Sequence, residues 1–61
     1  MTKYRIVLFA EDGRELSSGF AFSGDDESAC ASAERLMRSR PEATAVQVFQ
    51  DQRPVCRYER A

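Results

Sequence analysis

Residues 3–10, Lys-Tyr-Arg-Ile-Val-Leu-Phe-Ala, are rich in β-branched and aromatic types and predict a first strand, and Asp12-Gly13 just beyond them predicts a hairpin turn. Residues 15–23 alternate, with Leu16, Ser18, Phe20 and Phe22 on one face and Ser17, Gly19, Ala21 and Ser23 on the other. They predict a second strand whose apolar side faces a core. The run Ser23-Gly24-Asp25-Asp26-Glu27-Ser28 reads as a helix start: Ser23 or Asp25 accepts orphan amide hydrogens, and the acidic first turn suits the positive end of the helix dipole. Ala29, Cys30, Ala33, Leu36 and Met37 then recur at helical spacing, with Glu34 and Arg38 paired on the wet side, and Pro41 ends the helix at about Ser39.

Residues 44–49 predict a third strand, with Val46 and Val48 on one face and Ala45, Gln47 and Phe49 on the other. Gln50-Asp51-Gln52 reads as a three-residue loop into a fourth strand over 53–58. That register puts Pro54, Cys56 and Tyr58 on the face of Val46 and Val48, and turns Arg53, Val55 and Arg57 away. Pro54 marks this strand as an edge.

Two hairpins around one helix predict a single α+β domain over 1–61 with a ββαββ chain order. The four-stranded antiparallel sheet is expected in the order 2-1-3-4 with the helix on one face, because the first and third strands carry apolar residues on both sides, as central strands do. The expected core is Tyr4, Ile6, Leu8, Leu16, Phe20, Phe22, Ala29, Cys30, Ala33, Leu36, Met37, Val46, Val48, Cys56 and Tyr58. The opposite face is expected to present Arg5, Val7, Phe9, Ala45, Gln47, Phe49, Arg53, Val55 and Arg57, with the small Ser17, Gly19 and Ala21 admitting close approach.

Composition narrows the function classes. With 61 residues, 43% hydrophobic and 31% charged, the chain makes one small folded domain that buries only about 60% of its unfolded surface and leaves little room for a deep active site. Nine Lys and Arg against ten Asp and Glu, evenly spread, give neither a basic arm nor an acidic tail and argue against bulk nucleic-acid binding. No histidine is present to activate a serine or complete a zinc set, so no catalytic residue, metal or cofactor is expected and the chain is read as a non-enzyme. The acidic pairs Glu11-Asp12 and Asp25-Asp26-Glu27 read as a turn and a helix N-terminus. Cys30 and Cys56 are expected as free, buried thiols, since small disulfide scaffolds usually carry four or more cysteines, and the absence of a signal pattern points to a cytoplasmic location without membrane association.

The segments Phe22-Ser23-Gly24-Asp25-Asp26-Glu27-Ser28-Ala29-Cys30, Ala33-Glu34-Arg35-Leu36, Ala45-Val46-Gln47-Val48-Phe49 and Arg53-Pro54-Val55 resemble a group of very small bacterial ββαββ proteins. In these a hairpin, an acid-opened helix and a final hairpin make up nearly the whole chain. The resemblance implies a fold and supplies no activity. The chain departs from the group's pattern at the last turn, where Phe49-Gln50-Asp51-Gln52 stands in place of an aromatic followed by Asp-Gly.

One helix cannot cover both faces of four strands, so the leading expectation is a noncatalytic protein-interaction domain that binds a protein partner or forms a homodimer through the uncovered sheet face. Val7, Phe9, Phe49 and Val55 are the expected anchors, and Arg5, Gln47, Arg53 and Arg57 the rim. A phage or mobile-element inhibitor of a bacterial defence complex is one alternative. Binding of single-stranded nucleic acid by aromatics and arginines on one sheet face is the other, and is disfavoured by the charge balance.

Overall fold

The computed structural model describes residues 1–60. Four strands and one helix follow in the order β1 (Thr2–Phe9), β2 (Glu15–Ser23), α1 (Asp26–Ser39), β3 (Ala45–Gln50) and β4 (Arg53–Glu59). The strands form one antiparallel sheet in the order β2-β1-β3-β4, and α1 packs on one of its faces, as expected for an α+β ββαββ chain.

Local chemistry sets the turns. Between β1 and β2 the Ala10 N–H donates to Arg14 O at 2.8 Å and Gly13 N–H to Ala10 O at 2.9 Å. Gly13 takes φ +88°, which only glycine adopts at little cost, and Asp12 Oδ1 accepts the Arg14 N–H. Asp25 is the N-cap of α1: it is extended, and its Oδ1 accepts the Ser28 N–H at 2.8 Å. At the other end Arg40 is extended ahead of Pro41, and the guanidinium of Arg60 reaches back to the carbonyls of Met37 (2.7 Å), Ala43 (3.1 Å) and Arg40 (3.3 Å). The loose carbonyl end of the helix is thus satisfied from the far end of the chain.

The core lies between α1 and the helix-side residues of the two central strands. Tyr4, Ile6 and Leu8 from β1 and Val46 and Val48 from β3 pack against Ala29, Ala33, Met37 and Ala43, all of them buried. Ala29 and Ala33 are fully buried, and alanine here lets the helix axis settle close to the sheet. Leu16, Ala21, Val55, Cys56 and Tyr58 close the margins.

Three expectations are corrected. Leu36 is exposed, beside the β2 edge of the sheet. Phe20 and Phe22 are not in the core, being 64% and 61% exposed. Cys30 and Cys56 are not free thiols: they form a disulfide across 26 positions of sequence, joining α1 to β4 with their Cα atoms 6.4 Å apart. The thiol expectation rested on the low cysteine number and on the reducing compartment implied by the absence of a signal pattern. The fold decides otherwise, because Cys30 lies on the buried side of α1 and Cys56 opposite Val48 on the helix side of β4, within the separation a disulfide spans.

Candidate interaction surface

Opposed residues of an antiparallel pair share a face, so the register assigns every strand side chain. In β1 and β2, Tyr4 pairs with Ala21, Ile6 with Gly19 and Leu8 with Ser17, all on the helix side. Lys3 pairs with Phe22, Arg5 with Phe20 and Val7 with Ser18, which puts Phe20 and Phe22 on the face without a helix. The cause is one residue. At the hairpin end Phe9 pairs with Glu15, and continuing that register would have set Leu8 against Leu16 and Tyr4 against Phe20, the expected arrangement. A bulge at Leu16 shifts the pairing so that Leu8 meets Ser17, and every later β2 side chain changes face. Ser17, Gly19 and Ala21 therefore lie beneath the helix side, where they make no approach surface on the open face.

A second irregularity rearranges β4. The last hairpin loop has two residues, Asp51 and Gln52, since Gln50 pairs directly with Arg53, and Asp51 takes φ +55°. A bulge at Val55 then restores Cys56 against Val48, Arg57 against Gln47 and Tyr58 against Val46. The shorter loop and the extra residue cancel, so Cys56, Arg57 and Tyr58 keep their expected faces while Arg53, Pro54 and Val55 do not. Pro54 pairs with Phe49 on the open face. Val55 packs at the margin of the core and is no open-face anchor.

Arg53 lies at the helix N-terminus. Its guanidinium meets Asp26 Oδ2 at 3.2 Å and also bonds the Gln50 side chain, while the Tyr4 hydroxyl donates to Asp26 Oδ1 at 2.6 Å. These two donors, the Tyr4 hydroxyl first, hold the Asp26 carboxyl below the usual aspartate range, and the same bond holds the Tyr4 phenol above its ordinary value. The Ser28 N–H likewise holds Asp25 low. An ionised carboxylate fixed by two donors is a fastening between helix and sheet.

Of the residues expected on the open face, the structure brings together Arg5, Val7, Phe9, Gln47, Phe49 and Arg57 and separates Arg53 and Val55 from them. The centre of this face is closed by the chain itself. Val7 is 1% exposed and Ala45 5%, so Val7 is not an accessible anchor. The Arg5 guanidinium lies 5.3 Å from the Phe49 ring centroid and that of Arg57 5.4 Å from the Phe9 ring, leaving both rings half-buried. Lys3 Nζ stands 4.2 Å over the Phe20 ring. The accessible apolar surface has thus moved from the middle of the sheet to its β2 edge, at Phe20 and Phe22. Their positions follow from the bulge, for which the sequence carries no signal beyond the Asp12-Gly13 turn itself.

Among the described residues no helix is long and apolar enough to cross a membrane, and no three His, Cys, Asp or Glu side chains come together as a metal-holding group. No family model matches the chain, no curated protein matches its sequence, and no solved structure matches its fold.

Proposed function

We propose that the protein is a noncatalytic protein-interaction domain that uses the helix-free sheet face and its β2 margin. The observation that carries this reading is the pair Phe20 and Phe22, two phenylalanines about three-fifths exposed on one side of one strand. Phe9 and Phe49 extend the aromatic surface inward, and Lys3, Arg5, Gln47 and Arg57 supply a polar frame, the composition of a protein contact with an aromatic centre and an arginine-bearing rim. The disulfide favours an oxidising compartment over the cytoplasmic one expected from the absence of a signal pattern.

The test is capture of partners by the oxidised chain from its native host, comparing wild type with Phe20→Asp and Phe22→Asp on the open face and Arg35→Asp on the exposed side of α1. The expected result is a bound protein lost with either phenylalanine variant and retained with Arg35→Asp. Binding that depends on Arg35 and ignores Phe20 and Phe22 would sink the reading.

A second reading, single-stranded nucleic acid, draws on the three cation–aromatic pairs on one sheet face. Titration of a labelled oligonucleotide at two salt concentrations separates the classes, since phosphate contacts by Lys3, Arg5 and Arg57 require binding that weakens with salt.

A further inference from the structure

The two edges of the sheet differ in how they meet water. The outer edge at β4 carries Arg53, Pro54, Arg57 and Glu59 and is bent by the bulge at Val55, which are the devices that prevent a sheet edge from pairing. The β2 edge has none of these from Leu16 to Ser23: Leu-Ser-Ser-Gly-Phe-Ala-Phe-Ser contains neither charge nor proline, and its one bulge lies at the hairpin end.

The ladder also fixes which β2 backbone groups are free. The Thr44 carbonyl accepts from the Arg60 N–H at 2.7 Å while the Thr44 N–H turns to Phe9 O at 2.8 Å; beyond it Val46 and Val48 bond toward β4, and alternation leaves Ala45, Gln47 and Phe49 to bond β1. The same alternation across β1 assigns Tyr4, Ile6 and Leu8 to β2, where they bond Ala21, Gly19 and Ser17. The N–H and C=O groups of Ser18, Phe20 and Phe22 therefore point outward from the sheet. The residues with the free backbone are the ones whose rings are exposed.

We propose that β2 pairs antiparallel with β2 of a second copy of this chain, with Ala21 on the two-fold axis, making one continuous eight-stranded sheet. The proposal rests on the protein-interaction reading and names its partner. In this register the outward groups of Phe20 bond those of Phe22 in the partner and the reverse, and four phenyl rings meet on the open face, where aromatic cross-strand pairs stabilise a sheet. In this register residues 19–23 of the two strands overlap and none of them is charged, so no like charges meet along the overlap and a second copy fits it. The axis runs perpendicular to the sheet, so both helices lie on the same side of the dimer. There the exposed Leu36 and the groove it forms with Gly19 and Ala21 flank the seam in each protomer, which makes the seam apolar on both faces.

The test combines sedimentation of the oxidised chain from about 1 µM to about 1 mM with residue-resolved amide exchange. The expected result is a reversible dimer in which the Phe20 and Phe22 amides exchange about tenfold or more slowly than at dilution, while Gly19 and Ala21, already bonded to β1, change less. Phe20→Lys and Phe22→Lys, at exposed positions that spare the core, are expected to weaken the dimer about 100-fold while leaving the circular dichroism spectrum unchanged. A monomer at every concentration overturns the proposal. A dimer whose Phe20 and Phe22 amides stay unprotected also overturns it. In either case the broader interaction reading stands or falls separately, on whether capture of another protein depends on Phe20 and Phe22.

Discussion

The Tyr4 hydroxyl donates a 2.6 Å hydrogen bond to Asp26 Oδ1, joining the central strand β1 to the first residue of α1 across 22 positions of sequence. Arg53 meets the same carboxylate from β4, and the disulfide ties the next helical turn to that strand. The N-terminal half of the helix is thus fastened by polar and covalent links and its C-terminal end by Arg60, while Ala29, Ala33 and Met37 pack against the sheet along its length.

Tyr4→Phe is expected to lower the thermal midpoint at neutral pH by a few degrees, and the loss is expected to depend on pH. Asp25 and Asp26 are held below the ordinary aspartate value, so their contribution is present above about pH 4 and lost as pH falls through the folded values. Tyr4 is held above its ordinary value, so its contribution is present below about pH 10 and lost as pH rises through the folded value. Thermal melts of both proteins from acid to alkaline pH should converge at the two extremes. A constant gap would show that the bond with Asp26 is not the source.

Reduction of the disulfide, or Cys56→Ser, is expected to cost about 3 to 4 kcal/mol, given a closed loop spanning 26 positions of sequence. A core this small supplies roughly 3 to 5 kcal/mol, so the reduced chain should be largely unfolded. Denaturant titration with and without a phosphine reductant measures this, and an unchanged midpoint after full reduction would contradict it.

Ala33 is fully buried where α1 meets the sheet. Ala33→Leu forces the helix outward and is expected to destabilise the fold by about 1 to 3 kcal/mol. The same change at the exposed Ala31 should stay within about 0.5 kcal/mol. Paired denaturation curves make the comparison.

Arg5 and Arg57 lie over Phe49 and Phe9. Replacing both by alanine is expected to cost about 0.5 to 1 kcal/mol for each pair and to uncover the two rings and Val7. A fluorescent dye specific for apolar surface should bind the double variant more strongly than wild type at equal folded fraction. Equal binding would mean that the arginines do not shield the face.

Element types and order were legible in the chain because they rest on local rules. Asp12-Gly13 makes a turn, Asp25 caps a helix, Pro41 ends one, and four runs of β-forming residues with only one amphipathic helix leave few ways to assemble. The central core residues of β1 and β3 followed from alternation in strands without bulges.

The candidate surface was half legible. Arg5, Val7, Phe9, Gln47, Phe49 and Arg57 share the expected face, yet Val7 is covered, and Arg53 and Val55 lie elsewhere. What the sequence determined by itself was what each segment is, since hydrophobic period, capping and turn chemistry act over a few residues. Only the tertiary structure decided which way β2 faces and whether Cys30 meets Cys56. A single extra residue at Leu16 reverses all the side chains beyond it, and a disulfide depends on two backbones from distant segments coming within reach. Neither leaves a local mark in the chain, and the bulge decides which phenylalanines remain exposed.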